Sequence, residues 1–244
     1  MRSFFAVFSR ELRAYFVSPL AWVILTALLL IQGYFFSLII SALSDPNTVA
    51  GATPFSHFFG FFWISLLFIT PAITMRLIAE ERRSGTIESL MTAPISEVEV
   101  VLAKFFAALT FYGFLWLPTV AYPVLVGRHT DVDWGPVASG YLGTLLIGAL
   151  ALAVGLFGSS FTKNQIVAAV TTFGLLMVLF ALPWAGDLTQ DETIGKVFSY
   201  MDLIVHMDEF SKGIIDSRRL VYYLTTTALF LFLTTRALAA KKWR

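Results

Sequence analysis

The sequence predicts an all-α membrane protein: six transmembrane helices preceded by an N-terminal amphipathic interfacial helix, with both termini cytoplasmic. Three observations predict it. Hydrophobic residues make up 57% of the 244-residue chain and charged residues 14%, against roughly 25% charge in a soluble domain. The apolar residues gather into six runs, each long enough to cross a hydrocarbon layer of about 30 Å. The cations are shared unequally between alternate connectors, which sets an orientation. The 24 Phe and 6 Trp suit lipid-facing and interfacial positions. The whole chain, 1–244, reads as a single transmembrane domain.

Residues 1–17 read as the interfacial helix. At 100° per residue Phe5, Phe8, Leu12, Tyr15 and Phe16 share one side, and Arg2, Ser9, Arg10 and Arg13 share the other. A basic face opposite aromatics suits a helix lying in the membrane surface. A helix docked against the protein's own bundle shows the same pattern, and both readings stand. Ser18-Pro19 turns the chain. The apolar run that follows is too long for a signal-peptide core and lacks a clear cleavage site, so it is expected to stay in the mature protein.

The first span is 20–43, uncharged throughout, with Gln32 its strongly polar residue. The second is 55–78, with His57 near its start, Pro71 as a kink and Arg76 near its far end, placed to reach the interface. The third, 98–126, carries Pro118 and Pro123, which favour tilting or kinking. Its Lys104 lies about two turns in and is expected to reach back to the interface. The fourth, 137–161, is rich in small residues. Ala151, Gly155 and Ser159 recur at i, i+4 and i+8, a face for close helix contact. The fifth span is 166–185 and the sixth 220–238. Between them, residues 187–218 interleave apolar and charged side chains, which predicts outer-face half-helices broken at Gly213.

The densest charge lies between spans two and three, in the connector 80–97. Ser84-Gly85 breaks its charged start, Thr86 to Met91 has the composition of a short helix, and Ala93-Pro94 stops it. Ser96 then stands as N-cap with Glu99 at N3, a capping box, and Ile95 and Val100 are spaced as a hydrophobic staple. Of the 17 cations, Arg2, Arg10, Arg13, Arg76, Arg82, Arg83, Lys104, Lys163, Arg236, Lys241, Lys242 and Arg244 fall on the side of this connector. Arg128, Lys196, Lys212, Arg218 and Arg219 fall on the other. The positive-inside rule makes the connector cytoplasmic.

Several chemistries are absent from the sequence. It has no cysteine, hence no disulfide or thiolate. It has no G-x-x-x-x-G-K-[ST], no H-E-x-x-H and no G-x-S-x-G. His57, His129 and His206 are scattered and take no role. The pairs Glu80–Glu81 and Glu97–Glu99 read as solvated, ion-paired loop residues beside cations. Apart from Glu99 in the capping turn that opens the third, no Asp or Glu lies within a span, which disfavours a proton-coupled transporter. No catalytic, cofactor-binding or metal site is therefore assigned to this chain, and nothing in it suggests a nucleic-acid partner.

The connector, read from Ala79 to Ser96, resembles the pattern E-x-x-x-G-T-[IL]-E-x-L-[ML]-[TS]-x-P-[IV]-[ST] of ABC-2-type transporter permeases. With the short N-terminal helix and six spans, the likeness covers essentially the whole chain. It is closest to the short gliding-motility-type ABC permeases, where an opening like Phe5–Pro19 and a segment like Phe210–Asp216 recur. Several properties follow from the resemblance. The chain is half of a twelve-helix permease, paired with a second copy or a related permease, with spans one and five lining the interface and path. Two cytoplasmic ABC ATPase subunits bind ATP and Mg. The connector is the coupling helix, with Glu81, Gly85, Thr86, Glu88, Leu90 and Pro94 on the motif and Ile87 and Met91 on the same short helix. The location implied is the bacterial inner membrane, with room for an outer-face accessory protein. The function expected is ATP-driven export, with an ATPase-linked membrane anchor or assembly scaffold as the rival. The substrate is not readable from these residues.

Overall fold

The computed structural model describes residues 2–43, 54–86, 95–187 and 191–242, and those residues are helical with short turns and no strand. The bundle is built around α8, Trp134–Ser159, which packs against five of the helices introduced below and against the short α3. Its glycines explain how one helix serves so many neighbours. A Cβ at Gly140 would lie 2.3 Å from the Phe59 ring, at Gly143 2.7 Å from Phe210, at Gly148 2.2 Å from Tyr112 and at Gly155 2.4 Å from the Thr74 hydroxyl. Each missing side chain admits one from a different helix, the close approach that small residues permit in membrane helices.

In chain order, α1 (Arg2–Val17) is followed by α2 (Pro19–Leu43), α3 (Pro54–Gly60), α4 (Phe62–Thr74) and α5 (Ala79–Ser84). Next come α6 (Glu97–Trp116), a 3-10 turn (Leu117–Val120) and α7 (Ala121–Val126), so the third apolar segment changes pitch at Pro118, which has no N–H to donate. Then follow α8, α9 (Gln165–Asp187), α10 (Glu192–Ser199), α11 (Leu203–Ser211) and α12 (Ser217–Lys242). Among the described residues, six candidate spans are long and apolar enough to cross a membrane. They differ sharply in burial: 72% of the α8 window is enclosed, against 22% for α2 and 28% each for α9 and α12. The outward faces of α2 and α9 carry Trp22, Leu30, Tyr34, Val170, Val178 and Trp184. Such faces need lipid or another subunit against them.

Helix α1 is docked along α6. Tyr15 stacks on Phe111 at 4.8 Å, and Phe16 meets Phe114 edge-on at 4.8 Å. The docked face differs from the expected one at Phe5 and adds Glu11, which the sequence pattern assigned to neither side. Phe5 is 63% exposed, and Glu11 is turned inward with only 15% of its side chain accessible. The reason is a buried cation on α6, described below, which draws the face toward Glu11.

At the end of the bundle away from the charged connector, Asp133, Asp191 and Asp202 cap α8, α10 and α11 through their carboxylates. Gly213, at φ +85°, ends α11. His206 of α11 is fully buried. Its Nε2 lies 3.0 Å from the Tyr200 carbonyl, which only accepts, so Nε2 carries the proton and Nδ1 accepts from the Tyr223 hydroxyl at 2.7 Å. Burial, then the nearby Arg219, pushes the His206 pKa down to about 4. Arg219 in turn holds Glu209 through two bonds of 3.1 Å.

Candidate functional site

The charged connector enters through α5, and the local sequence explains that helix. Glu80 and Glu81 stand in its first turn and Arg82 and Arg83 in its last, each at the favourable end of the helix dipole. Gly85, at φ +74°, closes it in the left-handed region. The Ser84 hydroxyl donates to the Glu80 carbonyl at 2.9 Å and lies 2.9 Å from the Thr86 hydroxyl. On the far side of the connector the capping box is formed. Ser96 Oγ accepts from the Glu99 N–H at 3.2 Å, and Glu99 Oε2 accepts from the Ser96 N–H at 3.3 Å. Both rims are therefore stereochemically defined. Gly85 and Thr86 belong to the described residues and are exposed. Ile87, Glu88, Leu90, Met91 and Pro94 lie outside the described residues.

The anchoring of α5 departs from a solvated loop. Ser159, at the end of α8, accepts hydrogen bonds from the backbone N–H groups of Ile78 and Ala79 at 3.3 and 3.1 Å. Gln165, opening α9, donates to the Glu80 carboxylate. Glu81 is mostly buried, with 13% of its side chain accessible. It accepts from Lys104 Nζ at 2.8 Å and from Arg10 Nη2 at 2.7 Å. The same two cations hold Glu11, Lys104 at 3.0 Å and Arg10 at 2.7 Å. Four charges summing to zero thus join α1, α5 and α6.

Lys104 is 1% exposed and ends on the carboxylates of α1 and α5 rather than in solvent. A buried ammonium needs paired carboxylates to offset its desolvation, and the two acids supply them more cheaply than a stretch through the helix to solvent. Burial raises the Glu11 pKa, but Lys104 and then Arg10 outweigh it and hold the group below the usual carboxylate range. Removing one member of such a buried set costs about 3–5 kcal/mol, because its partners stay charged and unpaired.

Two further contacts fasten α1 to the lead-in of α5. Tyr15 donates to the Ile73 carbonyl at 3.0 Å, and Arg76 donates to Ser18 Oγ at 2.9 Å. Sequence reasoning singled out Glu81 but missed Glu11, Arg10, Lys104 and Gln165. Two signals were available. Lys104 is a lone cation in an apolar run, which calls for a carboxylate nearby. Glu11 is the first acid in the chain, with none following before Asp45.

The described start of the connector, ending at the exposed Gly85 and Thr86, is held by a helix bonded to α1, α6, α8 and α9. The profile of the ABC-2 family transporter protein matches residues 40–205, about two thirds of the chain, including the connector and α8. No curated protein sequence matches the chain significantly.

Proposed function

The chain belongs to the ABC-2 transporter family, and from that premise we propose that it is the permease subunit of an ATP-driven exporter, worked through residues 80–97. Membership makes it a multi-pass membrane component and implies a cytoplasmic ABC ATPase as partner. In the reading advanced here, two such ATPase subunits bind ATP and Mg, and each takes hold of one connector. The connector and both termini face the cytoplasm, in keeping with the cations on that side. A second permease copy covers the exposed apolar faces of α2 and α9. The site in the assembly is the bacterial inner membrane.

One observation carries the coupling reading: the helix leading into the connector is not a loose loop but is bonded to four helices. A displacement of the connector therefore reaches α1, α6, α8 and α9 directly. The motif residues Gly85 and Thr86, with Ile87, Glu88, Leu90, Met91 and Pro94 beyond them, supply the surface that is gripped. Glu81 supports that surface from inside.

The test is Thr86→Arg beside a deletion of Gly85–Met91. Both variants are expected to insert normally, lose co-purification of the ATPase and lose permease-dependent ATP hydrolysis. Normal coupling in both would refute the assignment. Vesicles that accumulate no solute while ATP turnover stays coupled would favour a mechanical anchor over an exporter.

A further inference from the structure

We propose that Lys104 is a positioning residue for coupling, pinning α1 to α5 so that the N-terminal helix moves as one body with the connector. The proposal rests on the coupling reading and assigns α1 an active part in it.

The geometry is a closed ring. Arg10 and Lys104 each contact the same two oxygens, Oε1 of Glu11 and Oε1 of Glu81, at 2.7–3.0 Å. If α5 moved without α1, Glu81 would leave both cations. Lys104, now 1% exposed, would then keep one carboxylate where it now has two. Moving α5 alone breaks both Glu81 contacts, whereas moving α1, α5 and the start of α6 together breaks none of the four. The Tyr15–Ile73 and Arg76–Ser18 bonds add fasteners at the other end of α1.

The opposite side of α1 is free to act. Phe5, Arg13 and Val17 are exposed there, Phe5 by 63% and Val17 by 82%. Cations beside protruding apolar side chains fit the headgroup layer of a bilayer. A push on the connector is thus delivered to a helix at the membrane surface as well as to the core of the bundle.

The chain has no native cysteine, so spin labels can be placed without background. Labels at Ser9 and Ser84, both exposed, report the α1–α5 separation by pulsed EPR in the permease–ATPase complex in nanodiscs. Labelled subunits are diluted with unlabelled ones, and spectra are taken without nucleotide and with ADP–vanadate. A second pair, Ser9 and Thr193, reports α1 against the far end of the bundle, and a third, Ser84 and Thr193, reports α5. In the unaltered chain the Ser9–Ser84 distribution is expected to stay narrow and unshifted, while both distances to Thr193 change together.

In Lys104→Met the Ser9–Ser84 distribution is expected to broaden and to shift with nucleotide. Lys104→Arg, which keeps the charge, is expected to retain the coupled motion. A shift of Ser84–Thr193 without Ser9–Thr193 in the unaltered chain overturns this proposal alone. The absence of any nucleotide response at Ser84 removes the coupling reading and this proposal with it. Because the unaltered chain carries the decisive comparison, poor folding of Lys104→Met does not protect the idea.

Discussion

Gly148→Ala tests the packing that places everything else. The added Cβ would stand 2.2 Å from Tyr112 Cε1, 2.6 Å from Cζ and 2.9 Å from the hydroxyl. Tyr112 is fully buried and bonded to the Thr144 carbonyl at 3.4 Å, so its ring cannot swing aside. It must retreat by roughly 1 Å and take α6 with it, an overpacking that costs about 1–3 kcal/mol. Alanine also gains helix propensity over glycine, by about 1 kcal/mol, which hides part of the clash. Gly174→Ala on α9 is the control, because a Cβ there meets nothing within 4 Å and gains the same propensity. The difference between the two variants isolates the clash. Thermal unfolding in detergent, at roughly 2–4 °C per kcal/mol for a chain of this size, should place Gly148→Ala several degrees below Gly174→Ala. Tyr112→Leu should cost less in the Gly148→Ala background than alone, since the ring that collides is gone. Equal melting of the two alanine variants, or strict additivity with Tyr112→Leu, would refute the packing argument.

Three other outcomes are expected. Ser159→Ala removes the one acceptor shared by the Ile78 and Ala79 N–H groups and should destabilise the chain by about 1–3 kcal/mol, measured by the same melt. Gly85→Ala meets no steric neighbour but keeps a left-handed φ of +74°, at a cost of about 1–2 kcal/mol; it should depress permease-dependent ATP hydrolysis, whereas Gly85→Asn should be tolerated. His206 has a folded pKa lowered from 6.5 to about 4, so the neutral form belongs to the folded state. Its contribution is complete above pH 6.5 and is lost as the pH falls toward 4. The melting temperature of His206→Gln should therefore fall less than that of the unaltered chain over that window.

The parts of this account that were readable in advance are those coded locally. Ser96 and Glu99 are three residues apart, and their capping box follows from sequence spacing alone. Gly85 sits where a helix bounded by acids and then bases must end. The all-α architecture with six apolar helices follows from run lengths that no soluble fold can bury. The small face of Ala151, Gly155 and Ser159 was legible as a contact face, but its partners were not: Gly155 receives Thr74, and Ser159 receives backbone donors at 78 and 79. Those pairings depend on which helices neighbour α8, and periodicity is silent on that.

The charge ring shows the same limit more sharply. Lys104 and Glu11 are 93 positions apart; Lys104 alone resembled an interfacial charge, and Glu11 drew no reading. Only the docking of α1 along α6 brings them together. That docking turned Phe5 outward, against a helical-wheel reading that treated α1 in isolation, and turned inward Glu11, which that reading left unplaced. Amphipathicity identifies a face but not its centre, and a buried partner charge shifted that centre.

The central claim, that the connector is gripped by an ATPase, is met most directly by a cysteine cross-link. Thr86→Cys supplies one thiol to a chain that has none, and a short bifunctional reagent applied to the purified assembly reports what lies against it. The account predicts a covalent product containing the co-purifying ATPase, formed in high yield, with ATP hydrolysis lost as it accumulates. A thiol placed at Thr193, at the opposite end of the bundle, should give no such product. Efficient ATP hydrolysis by the assembly with no cross-link at position 86, or equal cross-linking from position 193, would contradict the account.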